Sequence, residues 1–218
     1  MNFPGLDQDA IYDFPESQGN KDGLVAVGGN LLTGTLLNAY SKGIFPWYTI
    51  GETIYWYSPD PRFVLFPHKI KISHSMKSIL KKNTFQFTVD KAFDEVINKC
   101  RIIKRNGENE SWISDDIENS YIQFFKNGYA HSAEAWQNNR LVGGLYGVLL
   151  GRVFFGESMF AEKSNASKFA LIKWVEALNR NGIELIDCQV YTKHLESMGA
   201  EFVSGAEFKL MLKKFISK

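Results

Sequence analysis

From His131 to Phe160 the chain reads as three β-prone runs, "HSAEAWQ", "RLVGGLYGVLL" and "RVFFGESMF", separated only by "NN" and "G". Paired asparagines suit the left-handed turn of a tight hairpin, and a lone glycine suits the next reversal, so the three runs predict an antiparallel meander. Downstream, "SNASKFALIKWVEALNR" reads as a long helix, "IELIDCQV" as a strand, "TKHLESMG" as a short helix, "AEFV" as a strand and "AEFKLMLKKFISK" as a terminal helix. A meander continued by helix, strand, helix and strand predicts an α+β fold with a mixed, largely antiparallel sheet flanked by helices.

Upstream of the meander, "SHSMKSILKKN" predicts a helix capped by Ser73, and "FQFTV" a strand. A helix opened by Asp90 and running to about Arg105 follows, then another over "SDDIENSYIQFFKNG" with Ser114 at its N-cap. Before residue 62 the texture differs. "LVAVGGNL" reads as a strand and turn, "TGTLLNAYSKG" as a helix capped by Thr33, and "IFPWYTIGETIYWYSPDPR" as an aromatic hairpin closed by Pro59 and Pro61. This predicts a small N-terminal domain over 1–62 and a larger one over 63–218.

Bulk properties exclude several functions. Lys plus Arg (25) nearly balance Asp plus Glu (24), so any polyanion site must be a local patch. The N-terminus, "MNFPGLDQDAIYDFPES", lacks the basic start and apolar stretch of a signal peptide, and no apolar run approaches the roughly 18 residues of a membrane span. Cys100 and Cys188 form no CxxC pair, and the four histidines show no metal-ligand spacing. A cytoplasmic chain with no membrane attachment, no metal and no cofactor is expected.

Within "IELIDCQV", Asp187 and Gln189 project to one side of an ideal strand, among residues that otherwise belong in a core. A buried acid must be paired, solvated in a cleft or useful. Glu157 is a second acid in an apolar strand. The neighbouring "GESMF" lacks the final glycine of a nucleophile elbow, which weighs against Ser158 as a nucleophile. Gly143, Gly144 and Gly147 of "RLVGGLYG" resemble a coenzyme-A loop, but Leu145 obstructs it and a packing role is the better reading. Leu171, Trp174 and Leu178 form one helical stripe, suited to the core or to a pocket wall. Trp47 and Trp112 lie in turn-like or polar segments, where a large aromatic can stack a base or simply pack. Lys77, Lys81 and Lys82 give one helix a basic face, which suits solvent or phosphates alike.

Seven stretches, "GLVAVGGNL", "AYSKGIFPWY", "WYSPDPR", "GGLYGV", "FFGESMF", "NASKFAL" and "LIDCQV", together resemble leucyl/phenylalanyl-tRNA–protein transferases from about Gly23 to Gly199. The resemblance implies an acetyltransferase-like catalytic domain and an N-end rule aminoacyltransferase. Such an enzyme moves Leu or Phe, and Met less well, from Leu-tRNA or Phe-tRNA to proteins beginning with Arg or Lys, marking them for degradation; a monomer is expected. It implies that Trp47 and Trp112 hold the 3′-terminal adenosine. Leu145, Phe154, Leu171, Trp174, Leu178 and Ile186 would line the amino-acid pocket, Trp174 and Leu178 departing in size from the family's aromatics. Lys77, Lys81 and Lys82 would meet the tRNA backbone.

Asp187, Gln189 and Glu157 match the family's catalytic positions. The expectation is that Asp187 polarises or orients Gln189, Gln189 positions the attacking amine, and both acids offer negative charge to the cationic acceptor. Two other functions compete: a coenzyme-A-dependent N-acetyltransferase of the same fold, and a noncatalytic RNA-binding module. Placing Ile186 in the pocket while Asp187 and Gln189 face the ester conflicts with regular pleating. A bulge or splayed edge is therefore expected over Ile186–Gln189.

Overall fold

The computed structural model describes residues 5–6, 9–15, 23–50, 53–103 and 113–216. Four strands make a first sheet: β1 (Gly5–Leu6), β2 (Leu24–Gly28), β3 (Phe45–Ile50) and β4 (Thr53–Tyr57), in the order β1-β2-β4-β3. Helix α1 (Thr33–Ser41) runs between β2 and β3. The aromatic hairpin of the sequence is the antiparallel β3–β4 pair.

The second sheet carries the meander. Its strands are β5 (Arg62–Leu65), β6 (Gln86–Val89), β7 (Ala130–Gln137), β8 (Arg140–Leu150), β9 (Val153–Ala161), β10 (Leu185–Gln189) and β11 (Glu201–Val203). They lie in the order β11-β5-β10-β9-β8-β7-β6. All neighbours are antiparallel except β9 and β10, so the expected α+β class with a mixed, largely antiparallel sheet holds. Asn138 and Asn139 both have positive φ (52° and 58°), as the β7–β8 turn requires.

Helices cover both faces of this sheet. Helix α5 (Ala166–Arg180) packs over β7, β8 and β9 on one side, together with Met76 of α2 (His74–Lys81). On the other side, α3 (Phe93–Ile102), α4 (Asp115–Lys126) and α7 (Gly205–Ile216) share one apolar cluster with the first sheet. Helix α6 (Lys193–Ser197) connects β10 to β11. Glycines permit the tight layers: a Cβ on Gly143 would sit 2.6 Å from that of Ala166, and one on Gly147 would sit 2.2 Å from the Phe155 carbonyl oxygen. This is the packing role read from the sequence. No helix among the described residues is long and apolar enough to cross a membrane.

Ser73 and Ser114 cap α2 and α4 as expected, accepting from the N–H groups of Met76 and Ile117. Two other caps differ. Thr33 is the first helical residue of α1, and the Asn30 side chain instead accepts from the Leu32 N–H and the Thr35 hydroxyl. Helix α3 starts at Phe93, because Asp90 adopts a left-handed conformation and spends its carboxylate on His131 and the Ser132 N–H. The buried Glu134 takes its place, accepting from the N–H groups of Lys91 and Ala92.

Candidate active site

Strand β10 runs parallel to β9 for three pairs, the last joining Asp187 to Phe155, and then leaves it. The departure has a local cause. The register against β5 shifts between Asp187 and Gln189, and Gln189 takes a positive φ of 63°, costly for a non-glycine residue. Strand β9 continues alone beside β8, so the sheet opens between β9 and the end of β10. The expected bulge is present, and it resolves the pleating conflict: Ile186, Asp187 and Gln189 all line the resulting cavity. The cavity encloses about 460 Å³ and has β3 as a further wall.

Behind the cavity lining, Arg62 donates two hydrogen bonds to Asp187, from Nε to Oδ1 at 2.8 Å and from Nη2 to Oδ2 at 2.7 Å. Both side chains are fully buried, and the guanidinium lies 4.8 Å from the Phe45 ring centre and 4.7 Å from that of Phe208. Asp187 Oδ1 also accepts from the backbone N–H of Gln189 at 2.9 Å. Asp187 therefore acts on Gln189 through its backbone, holding it in the bulge. Its charge is matched by Arg62, which corrects the expectation that it offers free negative charge to a substrate.

The Gln189 amide contacts the other acid: Nε2 donates to Glu157 Oε1 at 2.9 Å. Tyr40 Oη lies 2.8 Å from the same oxygen, Tyr121 Oη lies 3.2 Å from Oε2, and the two hydroxyls also lie within hydrogen-bond distance of each other, so two phenol protons serve three contacts. Burial pushes the Glu157 carboxyl up to about 7, against the lowering effect of both tyrosines and of Gln189, with the Asp187 charge adding to the rise. Burial, followed by the Glu157 charge, raises both phenols well above 10. Burial and then Asp187 keep the Cys188 thiol neutral.

Of the residues expected at the amino-acid pocket, Leu145, Phe154, Leu171 and Ile186 line the cavity, as does Trp47, whose ring meets Tyr57 edge-on at 5.4 Å. Trp174 and Leu178 do not line it. They are buried one layer behind, where Trp174 packs edge-on against Phe154 at 5.5 Å. Their stripe is continuous with Leu171, but α5 meets the cavity only at its N-terminal half. Trp112 lies outside the described residues. Lys77, Lys81 and Lys82 are exposed on and just after α2, away from the cavity lining. Ser158 lies within the paired part of β9, opposite Tyr146, and forms no elbow.

Arg62, Tyr40 and Tyr121 are parts of the site that sequence reasoning missed. The run "RFVL" after "SPDPR" is the strand signal that would have brought Arg62 beside β10. The tyrosines carry no local signal.

Residues 64–213 match the family model described as leucyl/phenylalanyl-tRNA protein transferase, and residues 29–60 match its N-terminal domain. A protein of that name from Syntrophobacter fumaroxidans is 51% identical over 207 residues, covering 95% of this chain and 88% of that protein. Another, from Christiangramia forsetii, is 48% identical over 196 residues, covering 89% and 92%. Among solved structures, a GCN5-related N-acetyltransferase-like protein from Streptococcus suis has a TM-score of 0.39 at 12% identity, over 82% of this chain and 68% of that one.

Asp187→Asn should destabilise the fold by about 3–5 kcal/mol, because it leaves the buried Arg62 without its counter-charge. Urea unfolding measures this, and a loss below about 1 kcal/mol would contradict the assigned role of the pair. Glu157 predicts a pH dependence of opposite origin. Its folded-state pKa of about 7 lies above the ordinary 4.5, so its contribution to stability is full below about pH 4.5 and is lost as pH rises through about 7. Urea unfolding at about pH 5 and pH 8 should show the wild type losing more stability with pH than Glu157→Gln; parallel losses would be inconsistent with the raised pKa.

Proposed function

The chain belongs to the leucyl/phenylalanyl-tRNA protein transferase family and is an aminoacyltransferase; from that premise we propose that it moves Leu or Phe, and Met less well, from aminoacyl-tRNA to the α-amino group of proteins beginning with Arg or Lys. The product is an N-terminal mark for degradation, and the proposed place of action is the cytoplasm, as a monomer. One observation carries the reading: an apolar cavity of side-chain size whose lining includes a polar pair, Glu157 hydrogen-bonded to Gln189 beside the bulge.

The chemistry is aminolysis. A neutral α-amine attacks the ester carbonyl, a tetrahedral oxyanion forms, and the tRNA 3′-oxygen leaves. An α-amino group titrates at about 7.7–8, so a useful fraction is neutral near pH 7 and no strong base has to prepare it. Gln189 is suited to positioning: its Nε2 is anchored on Glu157, which leaves Oε1 to accept from the amine. Glu157 is the acid left to face a cationic acceptor, because Asp187 is matched by Arg62.

Leu145, Phe154, Leu171 and Ile186 form the proposed wall around the transferred side chain, and Trp47 the proposed platform for the terminal adenosine. Trp174 and Leu178 would act on this wall from behind, by fixing Phe154 and Leu171. A methylene in such a pocket is worth only about 1–3 kcal/mol, which suits a graded preference among Leu, Phe and Met. Lys77, Lys81 and Lys82 are the proposed contacts to the tRNA backbone, with Trp112 the proposed second aromatic at the adenosine.

The test is incubation with labelled Leu-, Phe-, Met- and Ile-tRNA and peptides beginning with Arg, Lys, Asp or Ala. Leu and Phe should pass to the Arg and Lys peptides, Met more slowly and Ile hardly at all; no transfer to either basic peptide would defeat the proposal. Combining Lys81→Ala with Lys82→Ala should weaken different tRNAs alike and flatten the salt dependence of binding. Affinity measured against ionic strength decides this, and an unchanged slope removes the two lysines from the interface.

A further inference from the structure

His194 lines the same cavity, from the first turn of α6, and the sequence reading gave it no role. Neither of its ring nitrogens has a hydrogen-bond partner among the described residues, although both are shielded from solvent. A buried imidazole left unpaired on both sides is a cost to the fold that a bound group can relieve. Burial, and then the charge of Lys168 on α5, lower its pKa, so the ring is neutral at physiological pH. A neutral imidazole presents one nitrogen that accepts a proton and one that donates.

Three other ionisable groups of the cavity are committed elsewhere. Asp187 is held by Arg62 and by the Gln189 N–H, and Glu157 by Tyr40, Tyr121 and Gln189. The Cys188 thiol is held neutral. Gln189 positions but does not titrate. Aminolysis nevertheless requires one net proton transfer: the amine nitrogen must lose a proton after forming the C–N bond, and the 3′-oxygen must gain one as the C–O bond breaks.

We propose that His194 is the group that carries this proton. The amine lone pair forms the bond to the carbonyl carbon and the C=O electrons move to oxygen. The unprotonated nitrogen of His194 then takes a proton from the amine nitrogen. As the oxyanion collapses, the C–O electron pair stays on the 3′-oxygen, which receives a proton from the imidazolium, and the neutral ring is restored. His194 thereby supplies a proton acceptor with unpaired nitrogens, whereas Glu157, which also titrates near neutrality, is already held by Tyr40, Tyr121 and Gln189. The proposal rests on the aminoacyl-transfer reading above.

Single-turnover transfer from Leu-tRNA to an Arg-initiated peptide tests it in wild type, His194→Ala and His194→Gln, with tRNA affinity and melting temperature recorded for each. Both variants should bind charged tRNA as the wild type does yet transfer roughly 100-fold more slowly, the usual scale of general acid–base catalysis. Added imidazole should speed the alanine variant and leave the wild type unchanged. A His194→Gln enzyme within about threefold of wild type would overturn the proposal and leave the transferase reading standing, because an amide bonds but carries no proton at neutral pH. So would an alanine variant indifferent to imidazole, or a loss accounted for by weaker tRNA binding. Absence of transfer by the wild type would overturn both readings.

Discussion

The bidentate pair between Arg62 and Asp187 is the constraint on which the site depends. It joins β5 to β10 at the point where β10 breaks its register, and the faces of the guanidinium meet Phe45 from the first sheet and Phe208 from the last helix. One buried cation thus fixes four segments that are remote in sequence. Asp187 passes the constraint on by holding the backbone N–H of Gln189, which keeps that residue in a left-handed conformation it would not otherwise favour. In the held bulge the Gln189 side chain meets Glu157.

The meander, the mixed sheet and the order of helices were legible because each rests on short-range signals: hairpin asparagines, apolar periods and capping serines. The polar exceptions in "IELIDCQV" and the acid in "FFGESMF" were legible as a site for the same reason, since an acid in a core strand demands an explanation wherever its partner lies. The partner itself was not legible. Arg62 is 125 positions from Asp187, and Tyr40 is 117 from Glu157. Strand β5 is four residues long, too short to declare its place between β10 and β11. Periodicity found the Leu171, Trp174 and Leu178 stripe but gave only its angle around the helix, whereas depth along the helix decides which of the three reaches the cavity.

The two acids differ in what meets them, and this separates their work. Asp187 faces a full positive charge at close range, so it serves as structure. Among the described residues Glu157 has only neutral donors, two phenols and an amide, which favour its charged form without offsetting its burial. Its proton is therefore poised near neutrality, and its state bears on Gln189. An ionised Glu157 accepts only, so the amide must turn Nε2 toward it and Oε1 toward the cleft; a protonated Glu157 can donate and removes that requirement.

In the proposed reaction this coupling gives the acceptor a part in assembling its own site. A cationic Arg or Lys side chain arriving near Glu157 stabilises the carboxylate and so draws its pKa down. Ionisation then favours the orientation of Gln189 in which Oε1 accepts from the incoming amine. An acceptor without a positive charge would find Glu157 more often protonated and the amide less well held. Preference for a basic first residue could thus be expressed in the positioning of the nucleophile as well as in its affinity, through a single carboxylate kept near its midpoint by burial.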